Sequence, residues 1–155
     1  MSEDHANVAF FPPLGFAAVL AVITVLHWLL PLSLPGAFAA VGAALGVVFC
    51  LVAGALGATA ILAFRRAGTH VEPHKPTRAI VRGGVYRVSR NPMYLGLVLL
   101  TLGVGLWFGT VWAFPGAFAL WFALDRGVVA REEAYLTAKF GETYTALLDE
   151  SRRWI

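Results

Sequence analysis

All twelve Lys and Arg residues of this 155-residue chain fall in two blocks, Arg65 to Arg90 and Arg126 to Arg153. Residues 8–64 and 91–124 contain no Asp, Glu, Lys or Arg at all. A transmembrane helix needs roughly 20 apolar residues to cross a hydrocarbon core of about 30 Å, and these two regions leave room for four. The fold class expected is therefore all-α: a polytopic membrane protein with four transmembrane helices followed by a C-terminal amphipathic cytoplasmic helix. The 59% hydrophobic content and mean hydropathy of +0.73 agree, since soluble domains run about 45–50% apolar. The net charge of +3 then follows from membrane topology. The expected partner is a lipid bilayer, and no nucleic acid.

Turn residues divide the apolar regions. Leu14 to Leu30 reads as a first membrane helix, introduced by Pro12-Pro13 and stopped by Pro31. A second runs from Ala37 to Phe64, about 42 Å at 1.5 Å per residue, and its Gly42-x-x-x-Gly46, Gly54 and Gly57 suit close helix packing. Pro73 and Pro76 preclude a continuous helix in the first basic block, where Ala79 to Arg82 is expected as a short extended piece. Pro92 suits the first turn of a third helix ending near Trp107, and Val111 to about Leu124 forms a fourth, kinked at Pro115. The third and fourth are short for a full crossing. From Arg126 to about Glu150 charges return at amphipathic spacing. Lys and Arg concentrate on the cytoplasmic side of membrane proteins, so both basic blocks and both termini are expected there, with the turns at 31–36 and 108–110 outside. The acidic Met1 to Asn7 lacks the basic start of a signal peptide, so the first apolar segment is expected to remain as a helix. The lone Cys50 reads as a small buried hydrophobe.

An antiparallel hairpin of helices three and four brings its two cytoplasmic ends together. One end carries Arg90, Asn91 and Tyr94; the other carries Arg131, Glu132 and Glu133. Arg and Glu at helix ends often only cap them or reach into headgroups. A cation, an amide, a phenol and paired carboxylates together suit a ligand better than a headgroup anchor. His70 and His74 flank Val-Glu-Pro, but Pro73 prevents the helical spacing two ligands would need and no Cys accompanies them. No metal is expected.

These residues also carry a resemblance. "GVYRVSRNPMYLG", an apolar hairpin, and then "REEAYLTAKFGETYTALLDESRRWI" resemble the integral-membrane methyltransferases that include isoprenylcysteine carboxyl methyltransferase and the phospholipid N-methyltransferases. The matching positions are Gly84, Tyr86, Arg90 to Gly96, Glu132, Glu133, Leu136, Phe140, Gly141, Tyr144, Arg153 and Trp154, over about residues 68–155. Asn91 stands where His is common in the family. The resemblance implies S-adenosylmethionine as methyl donor, leaving as S-adenosylhomocysteine, with no metal. It implies one methyltransferase domain over 1–155, in which residues 14–64 supply two helices and 65–155 the cofactor-binding and catalytic core. Tyr86, Arg90, Asn91, Tyr94, Glu132 and Glu133 are the expected cofactor-binding residues, together with Gly103 and Gly105, for which helix packing is an equal alternative. Glu133 is the expected base for an amine acceptor, with Arg126 and Arg131 as candidate catalytic residues holding an acceptor or a lipid phosphate. The acceptor is expected to be lipophilic (a carboxylate, amine or thiol) and to arrive along an apolar groove lined by residues such as Leu95, Leu99 and Phe122. The expected location is the bacterial inner membrane. The competing reading is a non-catalytic membrane binding or assembly protein with the same fold.

Overall fold

A computed structural model describes residues 4–73 and 75–155; His74 lies outside the described residues. Helices α1 (Pro12–Leu29), α2 (Gly36–Arg66) and α3 (Pro92–Trp107) follow in order. Then α4 (Ala113–Leu124) runs through a π-helical segment, Asp125–Val129, directly into α5 (Ala130–Phe140), and α6 (Glu142–Glu150) follows. A 3-10 turn, Gly84–Arg87, precedes α3. No strand occurs among the described residues, and Ala79 to Arg82 pairs with nothing as a ladder. Pro12 and Pro92 each sit in the first turn of their helix, where the missing N–H costs nothing.

Among the described residues three helices are long and apolar enough to cross a membrane: Pro12–Leu29, Gly36–Arg66 and the continuous 28-residue Ala113–Phe140. Only 11% of the most apolar window of α1, and of α2, is buried within the protein. Val25, Trp28, Phe38, Leu51, Phe118 and Phe122 all stand exposed. Apolar surface that extensive marks a lipid-facing exterior. The third expected span, α3, has only 16 residues, about 24 Å, and is the most enclosed of the apolar helices.

Small residues explain that enclosure. A Cβ added to Gly46 would lie 2.6 Å from the Gly103 carbonyl oxygen and 2.7 Å from the Trp107 nitrogen. One added to Gly103 would lie 2.7 Å from Cys50 Sγ and 2.9 Å from the Gly46 oxygen. The backbones of α2 and α3 thus touch, as small residues allow in lipid. On the other flank, Ile23 of α1 packs onto Gly116 of α4. The core centres on Tyr94, Leu120, Leu124, Val128 and Val129.

The turns at 31–36 and 108–110 lie side by side. Leu34 N donates to Gly109 O at 2.7 Å, Val111 N to Leu32 O at 3.0 Å, and Trp112 Nε1 to Leu30 O at 2.9 Å. The expected single amphipathic helix over 126–150 is instead two. The first is the continuation of α4, and Gly141, with φ of 52°, breaks the chain before α6.

Candidate functional site

A cavity of about 110 Å³ opens where α3 begins and α5 passes. Tyr86, Arg90, Asn91, Tyr94, Glu132 and Glu133 all line it, joined by Tyr144 of α6. Pro92 starts α3 immediately after Arg90-Asn91, so Tyr94 enters on its first turn. Residues 70–73, Thr77, Ala79 to Val81 and Ala6 form a further wall of the cavity. This wall is tied to α5: Tyr135 Oη accepts from Thr77 N at 3.3 Å and donates to Asp4 Oδ1 at 3.0 Å, while Lys139 Nζ reaches Asp4 Oδ1 at 2.6 Å. Those bonds from Lys139 and then Tyr135 hold the Asp4 carboxyl below its ordinary range. Ligand pockets run roughly 300–1,000 Å³, so the cavity as it stands is smaller than a typical ligand site.

The polar residues divide into two groups. Glu133 belongs to a network that anchors the tail after α6. Its Oε1 accepts from Arg90 Nη2 at 3.3 Å and from Arg153 Nε at 3.2 Å, and its Oε2 accepts from Arg153 Nη2. Bonded in this way, the Arg153 guanidinium is held above its usual pKa, chiefly by Glu133. Arg90 Nη1 donates to Leu148 O at 3.0 Å and to Ser151 O. Asn91 Nδ2 donates to Arg153 O at 2.9 Å, and Arg90 N to Arg152 O at 3.0 Å. A carboxylate has about four acceptor sites, and three on Glu133 are filled. In this arrangement Glu133 braces two arginines while still lining the cavity.

Glu132 faces the cavity differently. Its Oε1 accepts from Tyr94 Oη at 2.8 Å, and Oε2 makes no hydrogen bond among the described residues. Two further buried atoms at this wall have no partner, Tyr86 Oη and Arg90 Nε. Burial, with the nearby Glu132 charge second, raises the Tyr86 phenol well above its ordinary value. Tyr144 is only 4% exposed and its phenol is pushed up to about 12, first by burial and then by Glu133. Buried polar atoms are nearly always paired, so unpaired ones converging on a cavity mark where a ligand's groups fit.

Four expected site residues lie elsewhere. Gly103 packs on α2, and a Cβ on Gly105 would lie 2.3 Å from Ala113 Cβ. Neither lines the cavity, and both sit at close helix contacts. Arg131 donates to Asn7 O at 2.9 Å on the exterior. Arg126 pairs with Asp125 Oδ2 at 3.5 Å and lies 5.8 Å over the Phe122 ring. Leu95, Leu99 and Phe122 do not line the cavity either.

The π segment explains why Arg126 misses the site. Seven residues span nearly two α-helical turns, so Arg126 and Glu133 would share a face of an uninterrupted helix. One π turn absorbs an extra residue and rotates the register by about 100°. Asp125 takes the inward position instead. It is buried, accepting from Arg153 Nη1 at 3.3 Å and from Trp154 Nε1 at 2.9 Å. Asp125 was missed as a site residue. Its only signal is an acid placed at the end of an apolar helix.

Fold and site together define an integral-membrane protein with a polar cavity at one end of its helical bundle. Its relatives narrow that class. The phospholipid methyltransferase family matches residues 41–143, two thirds of the chain, and the chain belongs to this family, which implies a membrane methyltransferase. An uncharacterized protein of Haemophilus influenzae is 38% identical over 63 residues, 41% of this chain and 100% of the relative. No solved structure matches the chain significantly. Among the described residues no group of three or more His, Cys, Asp or Glu is placed to hold a metal.

Proposed function

We propose that this chain transfers a methyl group from S-adenosylmethionine to a lipophilic acceptor (a carboxylate, amine or thiol) at the cytoplasmic face of a membrane. The observation that carries this reading is the cavity wall of a methyltransferase-family protein, where among the described residues Tyr86 Oη and Arg90 Nε are buried without partners and Glu132 Oε2 makes no hydrogen bond. The donor carries an ammonium, a carboxylate, ribose hydroxyls and an adenine, and this set of atoms suits them. Glu132 accepts from the ammonium or the ribose hydroxyls, a charge-assisted bond. Arg90 Nε and Tyr86 Oη remain for an anionic or polar group. When bound, S-adenosylmethionine supplies an electrophilic methyl group, and the protein's contribution is to orient both partners and exclude water. An amine acceptor must first lose a proton; Glu132 is the cavity carboxylate with a free oxygen to take it.

The same reading includes four crossings. α3 completes the bundle as a short fourth span, and a 24 Å helix is accommodated by local thinning of the bilayer. The paired turns 31–36 and 108–110 lie outside, and both basic blocks and both termini are cytoplasmic. Calorimetry on detergent-solubilised protein with S-adenosylhomocysteine tests the enzymatic reading. Saturable binding at one site is expected. Its absence would overturn the proposal and leave a non-catalytic membrane protein.

A further inference from the structure

A second depression, about 670 Å³, lies beside the first and shares a wall with it. Ile80 and Val81 line both. Its other side is the last two turns of α2, from Thr59 through Leu62 and Ala63 to Arg66, and its rim carries Arg82 and the Gly83-Gly84 turn. The groove is graded in polarity. Leu62, 48% exposed, marks the apolar end, and about 6 Å further along the helix Arg66 marks a cationic end, with Arg82 also lining the groove. Both arginines are exposed. Arg82 spends one nitrogen on Thr143 O, and Arg66 has no side-chain partner among the described residues. The block around them, residues 65–91, holds seven Lys or Arg against a single acid, Glu72, which Lys75 already pairs at 2.8 Å.

We infer that this groove seats the phosphate-bearing headgroup of an anionic bilayer lipid, its glycerol and upper acyl chain lying against Leu62, Ala63 and Ile80. Two features select a lipid over free phosphate. The groove sits at the end of a 31-residue apolar helix, where headgroups lie, and its apolar floor would be wasted on a small ion. The site is distinct from the cavity that holds Glu132, and it does not depend on methyl transfer. Because Ile80 and Val81 form the partition, a lipid in the groove also braces the wall of that cavity.

Native mass spectrometry of the full chain in detergent tests this, with phosphatidylglycerol, diacylglycerol and glycerol phosphate as probes. Phosphatidylglycerol is expected to remain bound, with diacylglycerol and glycerol phosphate each at least tenfold weaker. A cationic side chain near a membrane surface contributes an effect worth about fivefold in affinity. Arg66→Gln should therefore lower phosphatidylglycerol binding about fivefold, whereas Arg152→Gln, the same charge change outside the groove, should not. The Arg66 side chain makes no hydrogen bond or ion pair among the described residues, so its substitution is expected to leave the fold intact. Equal retention of glycerol phosphate, or equal losses from Arg66→Gln and Arg152→Gln, would overturn the lipid site. S-adenosylhomocysteine binding is a separate readout, so either proposal can fail alone.

Discussion

The two adjacent carboxylates should respond in opposite ways to the same substitution. Glu133→Gln leaves Arg90 and Arg153 facing an amide. The side chains of Glu133 and Arg90 are 14% and 13% exposed, and that of Arg153 is 39%. Removing one partner of a buried pair costs about 3–5 kcal/mol, and the exposure of Arg153 reduces its share. A loss of about 2–4 kcal/mol is expected, or roughly 4–16 °C in Tm for a chain of this length. Glu132→Gln keeps an acceptor for Tyr94 and disturbs no ion pair, so Tm should move little. It removes the free carboxylate oxygen of the cavity, however, and with it a charge-assisted hydrogen bond worth about 1.5–3 kcal/mol, or roughly 10- to 150-fold in affinity. Thermal unfolding in detergent and calorimetry with S-adenosylhomocysteine separate the two effects. A Glu132→Gln protein with undiminished affinity, or a Glu133→Gln protein as stable as the parent, would refute the division of roles.

Three further outcomes follow from the same geometry. Gly46→Leu should destabilise the protein by more than the roughly 1–3 kcal/mol of ordinary overpacking, because its Cβ meets rigid backbone, while Gly54→Ala, with nothing within 4 Å, should be neutral or better in the same melt. Cysteines placed at Ser33 and Thr77 should label from opposite sides of the membrane; labelling of both from one side would contradict the four-span topology. Tyr144, whose phenol titrates near 12 in the fold against an ordinary 10.0, favours its protonated form when folded. The stability it contributes is complete below pH 10 and is lost as pH rises toward 12, so tyrosinate absorbance should rise together with alkaline unfolding.

Charge placement made most of the architecture legible. The confinement of Lys and Arg to two blocks, with breaks at Pro12-Pro13, Pro31 and Pro92, located α1, α2 and α3 within two or three residues of where they lie, and Gly42 and Gly46 pointed to close packing of α2, which falls on α3. The cluster Arg90, Asn91, Tyr94, Glu132 and Glu133 was legible too, because a short hairpin must bring its ends together. Which residue faces what was not. Asn91 and Arg90 carry the same hydrogen-bonding groups whether they hold a ligand or the backbone of Leu148, Ser151 and Arg153, and those carbonyls leave no mark in a sequence.

The π segment sets the deeper limit. Periodicity assigns faces by counting 100° per residue, and one absorbed residue shifts every later position by that amount. With Asp125 turned inward, Arg153 bridges it to Glu133, and Trp154 closes on Asp125 from the same side. The tail can therefore dock only because the helix departs from regular α geometry. Docking in turn occupies three acceptor positions of Glu133 and leaves Glu132 as the less committed of the two cavity carboxylates. A purely α-helical register would have put Arg126 in the place of Asp125, a third cation beside Arg90 and Arg153 with one carboxylate fewer to offset it. Like charges at that range repel, so the irregular turn is what lets this run of arginines and acids form a balanced network.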